Sequence, residues 1–253
     1  MKNVYVARSA SSTQINLLAE WVRTTLSPNN EDFDTIRFVE IDLPKLFPSI
    51  YIHIESDDKM GLRRAFVVER PLGIVVSEST YEGASNGCLF SQEVILHEVG
   101  HLILHYRYAK LGLNSAAQPY IDRIKNTPLA NSAEWQAASF ALSILYPSSI
   151  LKNIKSPNDI VEKYDVSLNN GVRIFNHIKR IRTRTACTDR EFDKKWLREI
   201  LNSLSRKDLK RLETKFQSQL LLFFSRGNSH RSRQKNNNSK VEISPTATAP
   251  TLG

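Results

Sequence analysis

The chain has 253 residues, 41% hydrophobic, 24% charged and 9% aromatic, which are ordinary values for a globular protein. They exclude a chain disordered throughout, a collagen-like repeat and a disulfide-stapled miniprotein; the two cysteines, Cys88 and Cys187, are far apart and point to a reducing, cytoplasmic setting. The net charge of +9 sits in the last third: residues 1–178 hold 17 Lys and Arg against 19 Asp and Glu, residues 179–225 hold 13 against 6, and residues 226–253 hold 5 against 1.

Ser12 or Thr13 can cap a first helix, in which Ile15, Leu17, Leu18, Trp21, Val22 and Leu26 recur at helical spacing until Ser27-Pro28-Asn29-Asn30 ends it. Arg37 to Leu43 and Ile50 to Glu55 read as strand pieces split by Pro44 and Pro48. Ala65 to Glu69 and Gly73 to Ser77 read as a hairpin around Arg70-Pro71-Leu72, so that residues 30–80 form a small sheet with turns. From Ser91 the period becomes helical, with Val94, Ile95, Val99, Leu102 and Ile103 on one pattern through about Tyr108. A loop punctuated by Gly112, Asn114, Pro119 and Pro128 leads to a second helix, Ser132 to Tyr146, stopped by Pro147. Shorter helices follow near 157–164 and 167–182. Basic amphipathic helices come next, from Glu191 to Leu201 and from Ser205 to Phe224. After Arg226 the apolar content nearly vanishes, and residues 226–253 read as a disordered basic tail. The class is α+β.

No run approaches the roughly 18 apolar residues of a membrane span, so no membrane contact is expected. The first residues, MKNVYVARSASSTQ, lack the apolar core of a secretory signal. The basic last third can hold nucleic acid or another polyanion. A solvated helical face with a charged tail explains it as well, and no recognition motif accompanies the charge.

The chemistry lies in His97-Glu98-Val99-Gly100-His101, an H-E-x-x-H sequence. At the helical period His97 and His101 fall about 40° apart on one face, one turn apart, where two imidazoles can occupy two corners of a zinc tetrahedron. Glu98 sits one step round the helix and can reach a metal-bound water as general base without being a ligand. Gly100 permits close backbone approach. The surrounding VILHEVGHLILH is apolar, so His97, Glu98 and His101 would be largely buried. A metal ion satisfies groups whose unpartnered burial costs several kcal/mol.

A catalytic site of this kind needs a third protein ligand. Glu134 is one candidate, one turn before a face of Ala137, Ala138, Ala141, Leu142 and Leu145, whose alanines let two helices approach closely. The same Glu134 also fits a capping box with Asn131, and spacing alone leaves the two readings level. His105 falls a full turn beyond His101, too far for one straight helix to bring three ligands to one ion. It reads as a residue beside the ligands or in packing. His53, His177 and His230 have no supporting pattern.

With HEVGHLILH at 97–105 and EWQAASFALSILYP at 134–147, the chain resembles the ImmA/IrrE family of bacterial and phage metallopeptidases, the former domain of unknown function 955. That family shows H-E-x-G-H-x-x-x-H, then E-x-x-A-[ND]-x-F-A, a small apolar run and a proline. Glu134, Ala137, Phe140, Ala141 and Pro147 match, whereas Ala138 stands where Asn or Asp is usual. The resemblance covers roughly residues 60–180. It implies a zinc-dependent, gluzincin-like site, with His97, His101 and Glu134 as metal ligands and Glu98 as the catalytic base. The implied architecture is a small N-terminal β-sheet packed on a gluzincin-like pair of metal-binding helices, followed by a helical C-terminal region. The organisation is then a metallopeptidase domain over 1–150, a helical region over 151–225 and the tail over 226–253.

The resemblance further implies a metallo-endopeptidase that cleaves a helix-turn-helix repressor to regulate transcription. No repressor-type helix-turn-helix precedes the peptidase segment, so the repressor would be a separate chain. Residues 156–178 resemble a helix-turn-helix in outline around Asp165-Val166-Ser167, but without an evident Arg-, Lys- or Asn-rich recognition face a packing role is favoured. Candidate donors for the developing oxyanion are Tyr106, Tyr108, Tyr120 and His177. Substrate can add as a strand to an edge of the small sheet, with the hairpin at 65–77 as the expected edge. The alternative function is a nucleic-acid-associated regulator or a toxin–antitoxin component on a non-catalytic metallopeptidase fold.

Overall fold

A computed structural model describes residues 7, 9–27, 33–69, 71–105, 128–147, 153–185 and 195–200. The chain divides into two units, Met1–Leu204 and Ser205–Gly253, and every described residue belongs to the first. Its described residues are mixed α and β, mostly helical, with one three-stranded sheet. None of its described helices is long and apolar enough to cross a membrane.

Helix α1 (Ser12–Leu26) starts one residue before the expected caps. Ser11 is the N-cap: its Oγ accepts from the Gln14 N–H at 3.2 Å, and Gln14 Oε1 accepts from the Ser11 N–H at 2.9 Å, a reciprocal capping box. Ile15, Leu18, Ala19 and Val22 are fully buried along its inner face. The strand expected over 37–43 is helical instead. Thr35–Arg37 is a turn of α-helix, Phe38–Asp42 a π-turn and Leu43–Lys45 a 3₁₀-turn. Two local forces favour this. Asp34 caps the stretch by accepting from the Arg37 N–H, and the buried set Phe38, Val39 and Leu43 shares one side only at helical spacing. Asp42 is buried there, taking Ser27 Oγ–H and Lys45 Nζ–H, each at 2.5 Å.

The sheet has the order β1-β3-β2, from β1 (Tyr51–Glu55), β2 (Ala65–Glu69) and β3 (Leu72–Ser77). β2 and β3 form the expected antiparallel hairpin, while β1 pairs with β3 in parallel. β3 is central, and its residues Gly73–Ser77 are buried, so its continuous apolar run needs no alternation. β2 is left as an edge. Helix α2 (Glu78–Ser85), capped by Ser77, was not expected from sequence; its short polar composition carries little periodic signal.

Helices α3 (Leu89–His105) and α4 (Ala133–Leu145) lie at the core of this unit. Ile95, Leu96, Val99, Leu102 and Ile103 of α3 and Ala137, Phe140, Ala141 and Ile144 of α4 are buried, and the two helices pack against each other. Closeness is set at Gly100, where a Cβ would lie 2.9 Å from Ala137 Cα and 3.0 Å from Ala137 O, backbone atoms that cannot turn aside. Gly100→Ala is therefore expected to destabilise by roughly 1–3 kcal/mol as an overpacked contact. It should also weaken metal uptake by pushing the two helices apart. Urea unfolding and metal titration check both, and a variant as stable as the parent would mean the helices are free to separate.

Arg23 of α1 ties this pair to the rest by donating from Nη1 to the carbonyls of Ile144, at 2.6 Å, and Leu145, at 3.3 Å, which the end of α4 leaves unpaired. Helices α5 (Pro157–Tyr164) and α6 (Leu168–Thr185) match the two short helices expected. They join through Asp165 in the left-handed region at φ 50°. Ile160, Ile174, Ile178 and Ile181 are buried, in keeping with packing. Residues 195–200 are helical with Trp196, Leu197 and Ile200 buried. The remainder of the 191–201 expectation, the 205–224 helix and the 226–253 tail lie outside the described residues, as does most of the loop before α4.

Candidate metal centre

His97 and His101 project from one side of α3, one turn apart, as their spacing requires. Their Nε2 atoms are 3.1 Å apart and their ring centroids 4.8 Å apart. Across the helix pair, Glu134 in the first turn of α4 places Oε2 at 3.2 Å from His97 Nε2 and Oε1 at 3.6 Å from His101 Nε2. Bonds of 2.0–2.1 Å to a tetrahedral cation imply ligand–ligand edges of about 3.3 Å. The closest approaches are 3.1 Å between the two Nε2 atoms and 3.2 and 3.6 Å from them to different oxygens of Glu134; one ligand atom from each residue lies within 4.8 Å of the others, so the three converge on one point more loosely than in a closed tetrahedron. These three side chains could hold a metal ion, and their donor set of two imidazoles and one carboxylate suits a divalent cation of intermediate softness.

The capping alternative for Glu134 does not occur. Ser132 is the N-cap of α4, its Oγ accepting from the Trp135 N–H at 3.2 Å, and the Asn131 amide donates to Ala7 O at 3.2 Å. Glu134 is left free to face the histidines. The imidazoles of His101 and then His97 facing it hold its carboxyl far below the usual range. Burial opposes a charge on His97, but Glu134 and Glu98 outweigh it and the net shift is upward. A carboxylate kept ionised beside two half-buried imidazoles is a cluster that favours positive charge at its centre.

Compared with protein-family models, with curated proteins and with solved structures, the chain matches none.

Glu98 lies beside the cluster, not in it. Burial raises its pKa, partly offset by His101 and His97 and by the backbone N–H of Val67 on strand β2. Together with His97 it walls a cavity of about 240 Å³ whose other sides are Phe90, Val94, Ala138 and Ala141 on the apolar side and Glu93 with Arg173 on the polar side. Arg173 comes from α6 and donates from Nη2 to both Glu93 oxygens, at 2.7 and 2.6 Å. The sequence reading missed Arg173 and Glu93 as members of the site. They are 80 positions apart, and neither carries a local signal.

His105 is buried, with Nδ1 3.1 Å from His101 Nδ1 and Nε2 3.0 Å from Gln136 Oε1. Gln136 was missed. A signal existed, since a glutamine among the apolar residues of α4 must find partners when buried. His53 lies at the surface on β1, 3.6 Å from Glu55. Tyr106, Tyr108, Tyr120 and His230 lie outside the described residues.

His177 does not line the cavity. It is buried, 2.9 Å from Ser143 Oγ through Nε2, and burial, with Arg180 and Arg173 nearby, pushes its pKa down to about 4. A histidine that folds neutral binds its proton only when the chain unfolds. Between its unfolded value of 6.5 and about 4 the unfolded chain therefore holds more protons, and stability falls as pH falls. His177→Gln should flatten that slope. Melting temperatures at neutral pH and near pH 5 test it, and an unchanged slope would assign the acid sensitivity elsewhere.

Proposed function

We propose that this chain is a zinc-dependent metallo-endopeptidase of gluzincin-like arrangement, related in its site to the ImmA/IrrE family it resembles, and that it cleaves a helix-turn-helix repressor supplied as a separate chain. The observation that carries the reading is the convergence of His97, His101 and Glu134, with Glu98 alongside and a cavity walled by His97 and Glu98 next to it. Two histidines and a glutamate are a common zinc ligand set in proteases. Bound there, zinc would lower the pKa of a water and polarise the scissile carbonyl.

The chain's own groups supply the rest. Glu98 takes the proton of the attacking water and passes it to the leaving amine as the C–N bond breaks. Its burial raises its proton affinity above that of an exposed glutamate, which suits a group that must accept a proton and hold it briefly. Strand β2 ends the sheet on the side where Val67 meets Glu98, so an extended peptide added to that edge would run past the base. The cavity takes a side chain next to the scissile bond, with Phe90, Val94, Ala138 and Ala141 as its apolar wall.

The test is incubation of the full chain, loaded with zinc, with the repressor encoded beside it, read by mass spectrometry. Discrete fragments that disappear with a chelator are expected. An intact repressor under all conditions would overturn the proteolytic reading. The alternative, a nucleic-acid-associated regulator, has in its favour the excess of Lys and Arg after residue 178. It requires binding to nucleic acid that weakens steeply with salt and is indifferent to zinc.

A further inference from the structure

The three histidines of α3 and one glutamine of α4 form a line of hydrogen bonds that runs in one direction. It ends at a fixed acceptor. Ala130 O, in the turn Leu129–Asn131, accepts from the Ala10 N–H at 3.0 Å and from Gln136 Nε2 at 2.7 Å. A carbonyl can only accept, so the amide nitrogen of Gln136 is the atom turned toward it, and Oε1 faces the other way. Oε1 lies 3.0 Å from His105 Nε2. An amide oxygen cannot donate, so His105 carries its proton on Nε2. A buried imidazole whose partners are an amide and another imidazole has no counter-charge in contact, and it stays neutral. Its Nδ1 is then a bare lone pair. That lone pair lies 3.1 Å from His101 Nδ1, and two lone pairs cannot face each other at that distance, so His101 carries its proton on Nδ1. In neutral His101, the form that ligates a metal, Nε2 is then the bare lone pair, turned toward Glu134 and His97.

We propose that His105 and Gln136 are positioning residues that, through the carbonyl of Ala130, hold His101 in the Nδ1–H tautomer, with the Nε2 lone pair committed to the metal ion. The inference rests on the cation reading of the cluster and adds to it the means by which one ligand is prepared. Without the relay a neutral imidazole in water divides between tautomers, and a ligand must also be held in orientation; ligand-supporting hydrogen bonds of this kind typically affect metal affinity by about 10- to 100-fold. The N-terminal segment takes part as well. The bonds from Ala7 N–H to Asn131 O, at 2.8 Å, and from Ala10 N–H to Ala130 O keep the turn that carries the terminal acceptor in place.

The experiment has two arms on the full chain. In metal-free protein, long-range nitrogen–proton correlation of the imidazoles reads each tautomer directly: His101 is expected as Nδ1–H and His105 as Nε2–H. The reverse assignment, or a mixture at His101, overturns the proposal. In the second arm zinc affinity is measured by competition with a chromophoric chelator. Gln136→Leu leaves the His105 Nε2–H without an acceptor, and affinity should fall about 10- to 100-fold. Gln136→Glu keeps an oxygen facing that N–H but loses the donor to Ala130 O and sets a charge beside His105, so its affinity should fall as well. In metal-free Gln136→Leu the His101 tautomers should become mixed, a change that a merely structural role does not produce. Parental affinity or an unchanged His101 tautomer in folded Gln136→Leu overturns the relay. Should a variant fail to fold, the tautomers of the parent protein decide. Should the parent take up no zinc, the metal reading falls, while the first arm still reports on the relay.

Discussion

His101→Ala is expected to abolish metal binding. The substitution removes one of three protein donors, and a cation held by His97 and Glu134 alone keeps one edge of the ligand triangle, the 3.2 Å separation between them. It also leaves His105 Nδ1 facing no donor, so the line of bonds through Gln136 loses its purpose. Metal content of the purified chain, one zinc per molecule in the parent, should drop to background in the variant. The thermal signature should follow. A ligand that binds only the folded chain stabilises it by about 2.7 kcal/mol at a hundred times its Kd, so added zinc should raise the parent's melting temperature and leave the variant's unchanged. Full zinc occupancy in His101→Ala would remove the site from this place in the fold.

Glu98→Gln should separate chemistry from binding. Glutamine matches the size of glutamate, and Glu98 stands outside the ligand cluster, so zinc content and unfolding behaviour should stay as in the parent. Cleavage of the repressor should fall by about 10² or more, the usual contribution of a general base. The parent's own pH profile carries the second half of this prediction. A base works only when ionised, and burial raises the Glu98 pKa above its ordinary 4.5, so activity should be lost on acidification at a higher pH than for an exposed glutamate. That acidic limb should be missing from any residual activity of Glu98→Gln. A variant as active as the parent would mean that the proton goes to another group, or that the chain acts without hydrolysis.

The legible parts of this protein share a physical basis in local repetition. The relation of His97 to His101 depends on a four-residue step along one helix, and the structure keeps their Nε2 atoms 3.1 Å apart. The hairpin of β2 and β3 and the helix Pro157–Tyr164 are likewise local, set by β-branched runs about a turn and by Ser156 with Pro157 at a helix start. The reading failed over residues 37–43, where Phe38, Val39 and Leu43 carry a helical spacing that their β-favouring side chains disguise, and where the deciding bonds come from Asp34 and from Ser27 to Asp42. It also passed over α2, too short and polar to leave a period.

By itself the sequence determined the mixed class of the fold, the helix that presents two imidazoles and an acid on adjacent faces, and the presence of a second helix rich in alanine. Only the tertiary structure decided where Glu134 sits. Capping and ligation fit its spacing equally well, and the choice turned on Ser132 taking the cap while Gly100 let Ala137 approach closely enough to bring the carboxylate across. The partners of His105 were decided in the same way, 31 positions away at Gln136, and so was the wall made by Glu93 and Arg173, 80 positions apart. Helical periodicity reports which side chains share a face. Which face meets which depends on the packing of helices far apart in the chain, a non-local balance of close contact and buried hydrogen bonds that no short stretch of residues carries.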